Sequence, residues 1–278
     1  MKKLLLLTLL TIGMAGLTGL NAQELKVISF NIHNNSSPKT DGPNAWYLRQ
    51  NAVLKMLDDE QPDIIGVQEA LLDQLTVIDK NFKNKYRRVG AGRDNGITRG
   101  EHTAIYFDKN KFQLVSSKTR WLCPSPQRVM TGWDAKTPRT VTILQLKVKE
   151  TGKEIFYFNT HLERDGSVAH AESVKVIASL IAQYVPKGTP VIVGGDMNSE
   201  IINNDFQPLY DAGFTPARRL ASRTDFRNSY NAFGYEPGAM NDHFLVRDIN
   251  VQRFRTINKD YGVPYISNHY PVRMIIKL

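Results

Sequence analysis

The chain has a single cysteine, Cys123, in 278 residues. That excludes an intramolecular disulfide and a cysteine-built zinc site, so the fold must be held by its hydrophobic core. Leu4 to Ile12, an apolar stretch near the start, falls short of the roughly 20 residues of a spanning helix, and no stable membrane span is expected. There is no P-loop, dinucleotide fingerprint, paired-histidine zinc motif or serine nucleophile elbow, and those chemistries drop out. Internal repeats, low-complexity tracts and linkers between independent patterns are also missing. Residues 23–278 therefore read as one domain, long for its kind but within the range of layered α/β folds.

What is present begins with Lys2 and Lys3 ahead of the Leu4–Ile12 stretch, followed by small residues through Gly16-Leu17-Thr18-Gly19-Leu20-Asn21-Ala22. This is the pattern of a secretory signal cleaved near Ala22, and it predicts a secreted or periplasmic protein. Cys123 is far from this segment, so no lipid-modified cysteine sits at the cleavage point. Loss of Lys2 and Lys3 takes the formal charge from +9 to +7. A basic surface favours polyanions such as nucleic acid, anionic lipid headgroups or phosphorylated glycans.

Short apolar runs punctuate the rest. Leu25–Phe30, Ile64–Val67, Ala104–Phe107, Val141–Val148, Ile155–Phe158, Pro190–Val193, Phe244–Val246 and Val272–Ile276 read as strands. Ala52, Val53, Met56 and Leu57 recur at helical spacing before Pro62. Ala171, Val174, Ala178, Ile181 and Val185 do so before Pro186. Strands alternate with helices in places and follow one another in others, which predicts two packed mixed sheets with helices outside them. The loops richest in turn residues are Asn34–Asn44, Gly90–Gly100, Pro124–Pro138 and Asn228–Asn241. Loops of this length in a compact domain are often functional.

Polar residues close many of these runs: Asn31, Gln68-Glu69, Thr160-His161, Asp196-Met197-Asn198, Asn241-Asp242-His243 and Asn268-His269. Taken singly, each is an ordinary turn residue or a hydrogen-bonded histidine. If the strands are neighbours, the same residues gather at one rim, where ligands of α/β sheets bind. Glu69 then suits a magnesium ligand, since Mg²⁺ takes one or two carboxylates together with substrate phosphate oxygens. Asp196 is placed to take a proton from an attacking water, and Asn198 to donate to a phosphate oxygen. His161 and His269 would stabilise negative charge, oriented by Glu101 and Asp242 respectively. Glu69, Asp196 and Asp242 cannot all stay ionised together without a compensating divalent cation. Arg139, with Trp121 and Trp133, would line a substrate groove, although packing suits the tryptophans better.

Together the blocks Ser29-Phe30-Asn31-Ile32, Gly66-Val67-Gln68-Glu69, Gly100-Glu101-His102-Thr103-Ala104-Ile105, Asn159-Thr160-His161-Leu162, Gly195-Asp196-Met197-Asn198, Asn241-Asp242-His243-Phe244 and Ser267-Asn268-His269-Tyr270-Pro271-Val272 resemble the endonuclease/exonuclease/phosphatase superfamily, the deoxyribonuclease I-like fold. The resemblance runs from about Leu25 to Leu278. It implies a four-layer α/β/β/α sandwich and Mg²⁺- or Mn²⁺-dependent hydrolysis of phosphoester bonds. By it Glu69 binds the metal with support from Asn31, Asp196 activates or orients the nucleophile and Asn198 steadies the transition state. His161 and His269 contact the scissile phosphate. Two positions depart from the pattern. Asn268 replaces an aspartate that often helps hold the metal, and His33 replaces an arginine that grips phosphate.

The expected function is an exported phosphodiesterase, most simply a nuclease. The alternatives are the same chemistry on a lipid headgroup, sugar or inositol phosphate, and a non-catalytic relative that binds polyanions. A monomer is expected.

Overall fold

A computed structural model describes residues 24–35 and 38–278; the leader expected over residues 1–22 lies outside them. The strands are β1 (Glu24–Asn31), β2 (Ile64–Gln68), β3 (Tyr86–Val89), β4 (Ile105–Asp108), β5 (Phe112–Trp121), β6 (Thr140–Val148), β7 (Glu154–His161), β8 (Val191–Asp196), β9 (Thr215–Pro216), β10 (Asp242–Arg247), β11 (Asn250–Thr256) and β12 (Val272–Lys277). They form two six-stranded sheets, in the orders β11-β12-β1-β2-β4-β3 and β5-β6-β7-β8-β10-β9. In each sheet one central pair is parallel, β1 with β2 and β7 with β8, and the other strand pairs are antiparallel.

Alternation along the strands separates three apolar layers. Leu25, Val27, Ile64 and Phe107 face Leu144, Tyr157, Ile192 and Phe244 between the sheets. The opposite face of the first sheet, with Ile28, Phe30 and Val67, is covered by Val53, Met56 and Leu57 of the helix Trp46–Glu60. Val174, Ile177 and Ile181 of the helix Ser167–Tyr184 cover Phe156, Phe158 and Val193 on the second sheet. The result is the expected α/β/β/α sandwich of two mixed sheets. Chain chemistry sets the helix ends. Gln61 takes a left-handed conformation (φ 45°) just before Pro62, while Asp134 accepts from the backbone N–H groups of Val168 and Ala169 at 3.2 and 2.6 Å to cap the second helix.

Four strands that periodicity does not reveal, β3, β5, β9 and β11, lie at sheet edges. There an open flank tolerates sequences such as Asn250-Val251-Gln252-Arg253-Phe254-Arg255-Thr256, whose polar residues mask the strand pattern. The helix Leu72–Phe82 was also not expected; Gln74, Leu75 and Ile78 are the residues it buries.

Gln68, a strand-end polar residue expected at the rim, serves the fold instead, together with Asn159 of the facing sheet. The Asn159 amide donates to the carbonyls of Val67 and Ala104, both at 2.9 Å, and its oxygen accepts from Gln68 Nε2 at 2.7 Å. This buried knot ties β7 of one sheet to β2 of the other. Removing one partner would strand amide groups away from water at about 1–3 kcal/mol.

The two glycines before Asp196 are required by packing. A Cβ on Gly194 would meet the Phe244 ring at 2.6 Å, and one on Gly195, at φ 146°, would lie 1.9 Å from the Thr160 carbonyl oxygen. Gly195→Ala is therefore expected to destabilise the protein by about 3 kcal/mol, read as a drop in the denaturant midpoint. A midpoint equal to wild type would contradict this packing.

Candidate active site

Strand register assembles the site. His161 at the end of β7 is level with Asp196 at the end of β8, and Asp196 is level with Asp242 at the start of the antiparallel β10. Asn31, on the other sheet, is level with Gln68, and Glu69 follows with φ 62°. The segment Ser267-Asn268-His269 enters from the turn before β12 and is tied to β1 by the Ser267 hydroxyl, which donates to the Asn31 carbonyl at 2.7 Å.

Asn31 is the junction. Its Nδ2 donates to Glu69 Oε1 at 2.9 Å and to Asp196 Oδ2 at 2.8 Å, and its Oδ1 accepts from the His33 backbone at 3.0 Å. Asn31 thus offers the carboxylates a donor and positions them. Asp196 Oδ2 also has His161 Nε2 at 3.5 Å and His269 Nε2 at 3.6 Å, and Asp196 Oδ1 accepts from the Asn198 backbone at 2.9 Å. The Asn198 side chain, in a left-handed turn (φ 50°), donates to the Leu162 carbonyl at 2.9 Å. His269 Nδ1 lies 2.7 Å from Asp242 Oδ2, the pairing expected from the sequence.

Charge here is set by burial against neighbours. Burial alone would neutralise His269, but Asp242 and Asp196 outweigh it and raise its pKa to about 9. Burial pushes Asp196 up to about 6 against the pull of the His269 cation, with Asp242 adding to the rise. Burial and the Arg139 guanidinium drive His161 down to about 3, so its imidazole is neutral. Glu69 is half-buried; desolvation opposes its ionisation, yet neighbouring histidines and the Asn31 amide hold it below the ordinary carboxylate range. An ionised Glu69 beside a neutral His161 is the consistent state, because amide donors sustain the carboxylate without a second cation. Burial and the Glu69 charge lift Glu101 to about 7.

Above this floor opens a pocket of about 340 Å³, lined among others by Glu69, Glu101, Arg139, His161, Asp196, Asn198, Asn268 and His269. Asn31 and Asp242 lie beneath it. Three expectations need correction. Glu101 is not paired with His161: it is bonded to Arg93 and accepts from Asn34 at 2.9 Å. His33 does not line the pocket. It sits behind Glu69, 3.9 Å from its carboxylate and 3.4 Å from Asp41, with its ring edge-on to Phe233. Trp133, with φ 46°, is also absent from the lining, to which the following residues Lys136, Thr137 and Arg139 contribute. Trp121 is buried and donates to the Arg93 carbonyl at 2.7 Å.

The wall residues Arg93, Lys136, Glu163, Arg164, Asp165 and Tyr230 escape sequence reasoning, because they lie on loops without periodicity. Glu163 fixes Arg139 through Nε at 3.0 Å and itself accepts from the backbone of Arg164 and Asp165. Tyr230 packs against the His269 ring at 5.0 Å between centroids.

The residues fit a divalent cation. One ligand atom each of Glu69, His161 and Asp196 lie within 4.8 Å of one another, as do those of Asp196, Asp242 and His269. Asp242 Oδ1 is buried with no hydrogen-bond partner among the described residues. Hard carboxylate oxygens around a polar pocket are the donors Mg²⁺ or Mn²⁺ prefers.

Residues 28–269 match the Endonuclease/Exonuclease/phosphatase family. Among solved structures, the chain is similar to an endonuclease/exonuclease/phosphatase from Bacteroides vulgatus, at 27% identity and TM-score 0.86, covering 92% of this chain and 99% of that one. It is also similar to a mannosyl-6-phosphatase from Bacteroides thetaiotaomicron, at 26% identity and TM-score 0.85, covering 91% and 100%. Uncharacterized protein L388 of Acanthamoeba polyphaga mimivirus is 22% identical over 270 residues, covering 91% of this chain and 100% of that protein.

The Asp242–His269 contact yields a direct pH prediction. In Asp242→Asn the burial of His269 loses its main opposition, so its pKa should fall from about 9 toward or below the ordinary 6.5. Histidine ring resonances followed by NMR from pH 5 to 10 report it. An imidazolium persisting above pH 8 in the variant would contradict the assignment.

Proposed function

Because the chain belongs to the endonuclease/exonuclease/phosphatase family, we propose that it hydrolyses phosphoester bonds with a divalent cation, and that its substrate is a compact sugar phosphate. The observation that carries the substrate reading is the pocket wall. Arg139 is paired with Glu163 at 3.0 Å, Lys136 and Arg164 with Asp165 at 2.5 and 3.3 Å, and Arg93 with Glu101. A polymer groove needs wall cations free to neutralise successive phosphates. Paired guanidinium and carboxylate groups around a bounded pocket instead offer donors and acceptors to hydroxyls. The likeness to a mannosyl-6-phosphatase supports the same reading.

Glu69, set by Asn31, would hold the cation, with Asp196 and the free oxygen of Asp242 close by. When bound, the cation polarises the phosphoryl oxygen and offsets charge on the leaving oxygen. Asp196, with its raised pKa, accepts a proton from water as that water's oxygen attacks phosphorus and the ester P–O bond breaks. The His269 cation stabilises the phosphoryl charge that builds, and the Asn198 amide, fixed by Leu162, keeps one N–H for a phosphate oxygen. His161 adds a neutral imidazole donor. The leader pattern of residues 1–22 supports export.

A phosphodiester substrate, favoured by the formal charge of +7 that remains once Lys2 and Lys3 are lost, is the second reading. Sugar 6-phosphates, inositol phosphates, sphingomyelin, DNA and RNA, each assayed with Mg²⁺ or Mn²⁺, separate the two. Phosphate release from a sugar phosphate is expected, with losses on the order of 10²-fold or more in Asp196→Ala and His269→Ala and a modest gain in Asn268→Asp. Turnover of DNA or RNA alone would establish the second reading. Turnover of nothing in the panel would defeat the enzyme reading and leave a binding protein.

A further inference from the structure

A second cationic surface lies on the outer face of the first sheet, at the edge its helices leave uncovered. Arg255 on β11 is directly level with Arg273 on β12, and Arg253 is directly level with Arg223, which pairs beside the β11 edge. Residues level with each other project to the same side of a sheet, about 5 Å apart, and like charges so placed are destabilising. Two such pairs therefore stack along one face, with Arg253 and Arg255 about 7 Å apart. Lys26 and Lys277 continue it through β1 and β12, as β12 places Ile275 level with Lys26. Only some of this charge is answered: Glu60 is bonded to Arg273, Asp59 lies 2.6 Å from Lys259, and Glu24 lies 3.6 Å from Lys277. Among the described residues, no ion pair involves Arg223, Arg253 or Arg255, and all three are exposed. The Tyr261 hydroxyl, electrostatically in reach of Arg255, Arg273, Glu60 and Asp59, is buried and has no hydrogen-bond partner among the described residues.

Repeated like-charge pairing on an open strand edge is explained by an anion that removes the repulsion. The composition of the face narrows which anion. Single-strand nucleic-acid surfaces interleave cations with exposed aromatic rings, and β11 and β12 expose none, since Phe254 is buried in the core. Peripheral membrane binding needs several apolar side chains that enter the headgroup layer; on β11 and β12 the outward apolar residue is the half-buried Ile275, and Phe226, three residues past Arg223, adds a single exposed ring. What remains is a row of guanidinium forks with carboxylates set among them, a surface for sparse anionic groups separated by hydroxyls. We propose that this edge, built on Arg223, Arg253, Arg255 and Arg273, is a docking site for an anionic polysaccharide bearing sulfate or phosphate groups. It lies outside the hydrolytic pocket and does not depend on which ester that pocket cleaves.

The test is binding of a fluorescently labelled heparin octasaccharide to the whole protein, followed by anisotropy across a salt series, beside a dT oligonucleotide and vesicles of anionic phospholipid. Saturable binding of the oligosaccharide is expected, weakened at least tenfold in the double variant Arg253→Glu/Arg255→Glu and with a shallower salt dependence. A matched reversal at exposed Lys149 and Lys153, on the turn between β6 and β7, should leave affinity within twofold. Both altered arginines are exposed, and an unfolding midpoint no lower than that of wild type would confirm that the variant folds. The proposal is overturned if wild type does not bind the oligosaccharide, if the double variant binds it equally well, if Lys149→Glu/Lys153→Glu weakens it as much, or if the oligonucleotide or the vesicles bind more tightly.

Discussion

One amide holds the site together. The Asn31 side chain, on a β1 strand end with no exposure, donates to a carboxylate from its own sheet and to one from the facing sheet. Glu69, half-buried, and Asp196, buried, would otherwise be two like charges each raising the other's pKa. The amide lets both approach and fixes the distance between the two halves of the sandwich at the point where chemistry is to occur. The orientation of Asn31 is set in turn by the His33 backbone, and the Ser267 hydroxyl anchors its carbonyl.

The rest of the architecture can be understood as support for that junction. One layer below, the Asn159–Gln68 knot clamps the same two sheets, so the rim cannot open without breaking buried hydrogen bonds. On the second sheet, His170 contacts the Met197 carbonyl at 2.9 Å and Asp205 at 2.8 Å, stiffening the turn that carries Asp196 and Asn198. On the first, buried Arg49 donates to the carbonyls of Ile32 and His33 at 3.1 and 3.2 Å and to that of Ile266, joining the exit of β1 to the segment that brings His269. The sequence separations are large and the contacts short, as expected of a site spread over many strand ends on a rigid frame.

Much of this was legible in the sequence because it obeys periodicity. Central strands such as β2 and β8 are short and wholly apolar, so their ends, and hence Glu69 and Asp196, could be placed before any coordinates. The Asp242–His269 pairing rested instead on the chemistry of an acid orienting a histidine, and the structure has that contact. Edge strands were not: β11 alternates arginine with core residues, and its pattern makes sense only once the open flank is known. Loop residues were less legible still. Glu163 and Tyr230 have no spacing that links them to the pocket, and Glu101 was assigned to His161 although Arg93, eight residues away, and Asn34 claim it. His33 was placed on the substrate because its motif adjoins it and Trp133 because it accompanies Arg139, whereas His33 sits beside Asp41 and Phe233 and Trp133 stays outside the pocket lining.

The central claim is that the carboxylates joined by Asn31 form a cation site, and the most direct measurement is Mn²⁺ binding to chelator-treated protein by isothermal titration or water-proton relaxation, without any substrate. At least one saturable Mn²⁺ site per chain is predicted, competed by Mg²⁺ and weakened tenfold or more in Glu69→Gln. No binding at millimolar Mn²⁺, or equal binding by wild type and Glu69→Gln, would contradict the account.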